Sequence, residues 1–217
     1  MMKKQTLIDR LKHLPIIALL PLLLAACSGE PQFPPLPMGA NVLILGDSLS
    51  HGTGAAEGED YPSLLAAATG WNIINAGVPG DTSADGLQRL PRLLDQHEID
   101  LLIVELGGND FIRRVPQQQT LDNLRAILSE ATANGIQPLL LAIPAFSPFG
   151  AAVGSLSDHE LYRQLAKETG TPLVEDIFSD VLASNALKSD PIHPNAEGYR
   201  LVEQGLRKAL NKKGFLN

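Results

Sequence analysis

The chain has a single cysteine, Cys27, so no internal disulfide is available and the fold must be held by its core. Long apolar runs are also missing. The most hydrophobic stretch, Leu14 to Ala26, is too short to span a bilayer comfortably, which argues against a membrane bundle. Cations are outnumbered, 17 Lys and Arg against 24 Asp and Glu, and an acidic body disfavours nucleic acid as a partner. The five histidines are scattered rather than clustered with carboxylates, so no metal site is suggested and no cofactor is expected. The glycines of "GTGAAEG" at 52–58 are spaced G-x-G-x-x-x-G rather than G-x-G-x-x-G, and "GVPGDTS" lacks the P-loop lysine, which removes the nucleotide-binding readings. The elbow motif G-x-S-x-G of the α/β-hydrolases is absent around Ser48.

What is present begins with an export signal. Lys3, Lys4, Arg10 and Lys12 precede the short apolar run, and the run ends in "LAAC" at 24–27. That ending resembles the lipobox of bacterial lipoproteins, in which the cysteine is lipidated and becomes the mature N-terminus. The resemblance implies an anchor at Cys27 that holds the protein to a membrane, and Ser28 after it implies sorting to the outer membrane. Removing residues 1–26 leaves 13 cationic and 23 acidic side chains, a net charge of −10. Residues 28–39 hold four prolines and no periodicity, as a semi-extended tether does. The expected organisation is therefore a signal over 1–26, a lipidated tether over 27–40 and one domain over 41–217.

From Asn41 onward short apolar runs alternate with amphipathic segments. The runs "NVLIL", "WNIIN", "DLLIVEL", "QPLLLAI" and "TPLVE" are separated by helical stretches near 61–69, 84–96, 117–134 and 157–169, with a last one near 195–211. Strands that are continuously apolar have both faces covered, so the pattern predicts an α/β fold with a parallel sheet between helix layers. Ligands of such sheets bind at the carboxyl ends of the strands. Three loops fall there: "GDSLS" (46–50), "NAGVPGDTS" (75–83) and "GGND" (107–110). Further on, "SDPIHPN" (189–195) precedes the final helix.

Acyl transfer by serine needs a nucleophile, a base, an acid that orients the base, and donors for the oxyanion. Ser48 stands at a strand-to-helix turn, His193 is a candidate base, and Asp190 is its candidate partner. Gly77 and the Ser48 backbone offer N–H groups, and Asn109 offers an amide. Each also has a plainer reading: Ser48 as a helix cap, Asn109 as a turn residue, Gly77 as a turn glycine.

Taken together, "GDSLS", the glycine of "NAGVPGD", "GGND" and "DPIHP" resemble the four signature blocks of the SGNH hydrolase superfamily, also called GDSL esterases and lipases. The strings "LILGDSLS", "VELGGND" and "IHPN" look particularly like the exported bacterial thioesterase I, lysophospholipase and arylesterase branch. The resemblance covers nearly all of 41–211. It implies a flavodoxin-like sheet of about five strands, Ser48 as nucleophile, His193 and Asp190 as base and partner, and Ser48, Gly77 and Asn109 as oxyanion donors. The substrate it implies is an acyl ester or thioester. An acetyl esterase of cell-envelope glycan and a non-catalytic lipid-anchored binding protein are the alternatives.

Two segments depart from the pattern. "FIRRVP" follows "GGND", and "PAFSPFGAAVGSLS" (144–157) is unusually apolar. Both are expected to border an acyl pocket. Phe111, Phe146 and Phe149 are candidates to contact an acyl chain or, equally, to cover the core, while Arg113 and Arg114 read as solvated charges before a substrate anion.

Overall fold

The computed structural model describes residues 33–145, 147, 150 and 154–216. Cys27, Phe146 and Phe149 lie outside the described residues, as does the stretch expected to be an export signal. Five strands form one parallel sheet: β1 (Asn41–Gly46), β2 (Asn72–Gly77), β3 (Leu101–Glu105), β4 (Gln137–Leu141) and β5 (Leu173–Val174), in the order β2-β1-β3-β4-β5. All five are strands expected from the apolar runs, and the order is the doubly wound one in which β1 and β3 diverge into crossovers on opposite sides. The central strands are buried along their length because helices cover both faces. Strand β2 differs. It is one of the two edge strands, its residues are half-buried or exposed, and Asn72 and Asn75 are exposed where a continuous apolar run was expected to be covered.

The helices between strands are α1 (Ser48–His51), α2 (Tyr61–Thr69), α3 (Ser83–Gln96), α4 (Gly108–Ile112), α5 (Gln117–Ala133), α6 (Leu161–Thr169), α7 (Ile177–Ala183) and α8 (Ala196–Lys213). Helices α3, α5 and α6 pack together in one layer, and α2, α7 and α8 in the other. Local chemistry fixes where several begin. Asp60 accepts the Ser63 N–H at the start of α2, Thr82 and Asp85 form a capping box on α3, and Asn195 accepts the Gly198 N–H on α8. Helix α6 begins at Leu161, later than the stretch near 157 predicted. Asp158 ahead of it is used otherwise, accepting the Asp176 N–H at 2.7 Å and the Ser179 hydroxyl.

The domain also extends further back than Asn41. Phe33 stacks on Phe215 with ring centroids 4.7 Å apart, its N–H donates to the Lys213 carbonyl, and the Leu36 N–H donates to the Phe215 carbonyl. Residues 33–40, read from composition as tether, are thus packed against the end of α8, because an aromatic and two backbone donors find partners there.

Candidate active site

The nucleophile turn is built by sterics and by helix-end chemistry. Strand β1 ends at Gly46, where a Cβ would overlap the Ser50 hydroxyl and stand 2.7 Å from Glu105 Oε2, so only glycine lets α1 fold back this closely. Asp47 caps α1, its Oδ1 accepting the Leu49 N–H at 2.9 Å. The His51 N–H closes the turn on the Asp47 carbonyl at 3.0 Å. Ser48 therefore stands at the carboxyl end of β1, beside the divergence from β3.

The loop ahead of α8 brings the base. The Ser189 N–H bonds the His193 carbonyl and the Asn195 N–H bonds the Leu187 carbonyl, which folds residues 187–195 into a tight hairpin. Within it Asp190 Oδ1 accepts the Ile192 and His193 N–H groups, each at 2.9 Å, and Oδ2 lies 2.7 Å from His193 Nδ1. His193 Nε2 is 2.9 Å from Ser48 Oγ across 145 residues of chain. With Nδ1–H donated to the carboxylate, Nε2 presents its lone pair to the serine hydroxyl. Burial pushes the Asp190 carboxyl up, but the hydrogen bonds from the His193 ring and from the Ile192 and His193 N–H groups outweigh it and hold the group below the usual carboxylate range.

Asn109 sits in the first turn of α4, which is held by buried Asp110. That carboxylate accepts the Ser83 N–H at 2.8 Å, the Ser83 hydroxyl at 2.6 Å and the Thr120 hydroxyl at 3.2 Å, tying the loop to α3 and α5. Both amide hydrogens of Asn109 are in use, one on Asp47 Oδ2 and one on the Asp81 carbonyl, each at 3.0 Å. Asp47 is 2% exposed. Burial raises its pKa to about 6, against the lowering effect of the Leu49 N–H, His193 and the Asn109 amide.

Ser48, Asn109 and His193 line one cavity of about 550 Å³, whose walls include Ile112, Ile143, Leu156, Leu182 and Ile192. That size and lining suit a small organic group. Among the described residues, three of the four most exposed large apolar side chains, Val78 at 41%, Ile112 at 38% and Ile192 at 37%, lie in the segments that carry this site.

Two expected residues are not brought to the cavity. Gly77 ends β2, its N–H donates to Asn75 Oδ1 at 2.9 Å, and a Cβ there would overlap the His51 N and stand 2.9 Å from the Asp47 carbonyl oxygen. Its smallness serves the packing of β2 against α1, and its donor is spent. Phe111 stacks on His159 with ring centroids 4.1 Å apart and meets Tyr162 edge-on at 6.3 Å, so it packs inward rather than lining the cavity. His159 is half-buried under that ring and its Nδ1 accepts the Leu161 N–H; burial lowers its pKa. Arg113 donates to the Gly80 carbonyl at 2.7 Å.

Sequence reasoning passed over Gly80. It lies in a turn closed by the Asp81 N–H on the Val78 carbonyl, with φ of 88°, and the neighbouring Asp81 carbonyl is the one Asn109 touches. Among the described residues the Gly80 N–H donates to nothing. The proline before it, Pro79, is the signal that a type II turn with glycine third was to be expected. Among the described residues no group of three His, Cys, Asp or Glu is placed to hold a metal ion.

A parallel α/β sheet that carries a linked serine, histidine and aspartate above an apolar cavity has the equipment of an ester hydrolase, and this chain is an ester-hydrolysing enzyme. It belongs to the GDSL-like Lipase/Acylhydrolase family, whose sequence profile matches residues 44–201. It is 35% identical to the Thioesterase 1/protease 1/lysophospholipase L1 of Escherichia coli (strain K12) over 203 residues, 91% of this chain and 91% of that protein. An arylesterase of Vibrio mimicus is 30% identical over 177 residues, 79% of this chain and 88% of that one. Among solved structures, the psychrotrophic esterase EstA from Pseudoalteromonas sp., inhibited by monoethylphosphonate, is 28% identical with a TM-score of 0.69, covering 79% of this chain and 97% of its own.

Proposed function

We propose that this enzyme is a lipid-anchored serine esterase that cleaves carboxylic ester or thioester bonds through an acyl-enzyme on Ser48. The observation that carries the reading is the unbroken series Ser48 Oγ, His193 Nε2, His193 Nδ1, Asp190 Oδ2, with separations of 2.9 and 2.7 Å, opening on the cavity. His193 takes the Ser48 proton as Oγ bonds to the acyl carbon, and returns it to the departing alcohol or thiol as the carbon–oxygen or carbon–sulfur bond breaks. Water, deprotonated by the same imidazole, then releases the acid and restores the serine hydroxyl. Asp190 fixes the tautomer and stabilises the imidazolium.

The oxyanion donors are the Ser48 N–H, Asn109 and, in place of Gly77, the Gly80 N–H. Asn109 joins them by giving up one of its present acceptors. The apolar walls at Ile143, Leu156 and Leu182 favour an acyl chain longer than acetyl, and thioesterase, lysophospholipase and arylesterase activities are those named for the relatives. The lipobox-like "LAAC" supports a cell-envelope location with Cys27 as the lipidated residue.

The test is a series of p-nitrophenyl esters from acetyl to dodecanoyl, run on the detergent-solubilised full chain. A rate that peaks beyond acetyl is expected, and a preference for acetyl refutes the acyl-pocket reading. Labelled fatty acid is expected to enter the wild-type chain and not Cys27→Ala; incorporation in both refutes the anchor.

A further inference from the structure

Strand β3 reads Leu-Leu-Ile-Val and then, at a position with no exposure at all, Glu105. A fully buried acid at the end of an apolar strand is costly and calls for a compensating use. No Lys or Arg among the described residues pairs with it. Among the described residues its Oε1 has no hydrogen-bond partner. Its Oε2, by contrast, accepts the Ser50 N–H at 3.1 Å, the Ser50 hydroxyl at 2.5 Å and, at a long 3.4 Å, the Asp47 N–H. The Ser50 hydroxyl also meets the Tyr61 hydroxyl at 2.6 Å.

The consequence lies in which amides remain. Of the four consecutive N–H groups from Asp47 to Ser50, Asp47 and Ser50 donate to Glu105 and Leu49 donates to the Asp47 side chain. Ser48 donates to nothing among the described residues. The missing Cβ of Gly46 clears the space through which Glu105 and Ser50 meet. We propose that Glu105 is a positioning residue of the nucleophile turn, holding the amides on either side of Ser48 so that the Ser48 N–H alone is left for the oxyanion and Ser48 Oγ stays directed at His193. The inference rests on the serine-esterase reading above and assigns Glu105 no contact with substrate.

Charge bears on the same role. The ionisable groups that act on Glu105 electrostatically are the Asp47 carboxyl and the hydroxyls of Tyr61, Tyr162 and Tyr199, of which Tyr61 is linked to it through the Ser50 hydroxyl. Burial first, and then the Asp47 carboxylate, push the Glu105 carboxyl well above the usual range. A shift in that direction favours the uncharged acid and so lessens the negative charge beneath a site where an oxyanion must form.

The test compares kcat and KM of the full chain in detergent on p-nitrophenyl butyrate, normalised to the folded fraction from circular dichroism. Glu105→Leu is expected to lower kcat about 100-fold, the scale of one lost oxyanion donor, with KM within about twofold of wild type. Glu105→Gln, which is neutral and keeps an oxygen for the two amides, is expected to retain kcat within about tenfold. Should Glu105→Leu not fold, Ser50→Ala removes the hydroxyl link while leaving the backbone, and is expected to cost about tenfold in kcat at constant KM. Full kcat in Ser50→Ala or Glu105→Leu, a loss carried by KM, or a Gln variant as poor as Leu overturns the proposal. Wild-type activity that survives Ser48→Ala removes the serine-esterase reading and this inference with it. Activity that depends on Ser48 while the Glu105 and Ser50 variants run at full kcat removes the inference alone.

Discussion

Replacing Asp47 with asparagine removes one buried charge while keeping the shape of the cap. In the folded chain the Asp47 carboxyl titrates at about 6, raised chiefly by burial, whereas an unfolded aspartate titrates near the ordinary value of about 4. The folded state therefore binds the proton more tightly. The stability this supplies is complete below the unfolded pKa and is lost as pH rises through the folded one. At pH 5 the folded carboxyl is mostly protonated and the unfolded one mostly ionised, a gap of one pH unit that vanishes by pH 8 and amounts to about 1 kcal/mol. Asparagine cannot titrate. Urea unfolding of wild type and Asp47→Asn, followed by the fluorescence of Trp71, the only tryptophan and a buried one, measures the difference at both pH values. Wild type is expected to lose about 1 kcal/mol relative to the variant between pH 5 and pH 8. A difference that is constant with pH, or that moves the other way, refutes the assignment of a buried, destabilised charge at 47.

Asp190→Asn is expected to leave KM unchanged and lower kcat by about 10³- to 10⁴-fold in steady-state esterase assays, because an amide holds the wrong imidazole tautomer. Gly77→Ala keeps the backbone N–H, so an oxyanion role would leave the protein stable; overlap with the His51 N instead predicts a loss of several degrees in the melting temperature. Phe111→Ala is expected to lower the melting temperature, through loss of its contacts with His159 and Tyr162, and to leave the acyl-chain profile as it was; an altered profile means that Phe111 touches substrate.

The sheet was legible because buried parallel strands write themselves as unbroken apolar runs, and all five were found by that signal. The edge position of β2 was less so, since Ile73 and Ile74 look alike whether one neighbour strand or two stand beside them. The short helices α1, α4 and α7 carry too few residues for a periodicity, and α1 exists because Asp47 and Glu105 hold its amides. Of the site, Ser48, Asp190, His193 and Asn109 were readable from motif order, and the structure brings all four to one cavity. Gly77 ends β2 and Gly80 stands three residues further on, and only the hydrogen bond from Gly77 to Asn75 tells which donor is spent. The pocket walls were sought among the phenylalanines because those are the conspicuous apolar residues of the rim loops. Phe111 turns inward onto a histidine, and among the described residues aliphatic side chains from α4, from the segment between β4 and α6, from α7 and from the loop ahead of α8 line the cavity, a convergence that no local pattern announces.

The central claim is that Ser48 is the nucleophile of an esterase. Mass spectrometry of the full chain, mixed with p-nitrophenyl butyrate and quenched in acid within the first turnovers, tests it directly. The account predicts a butyryl adduct on the peptide that contains Ser48, absent from Ser48→Ala together with the burst of p-nitrophenol. An adduct elsewhere, or p-nitrophenol released at the wild-type rate by Ser48→Ala, contradicts it.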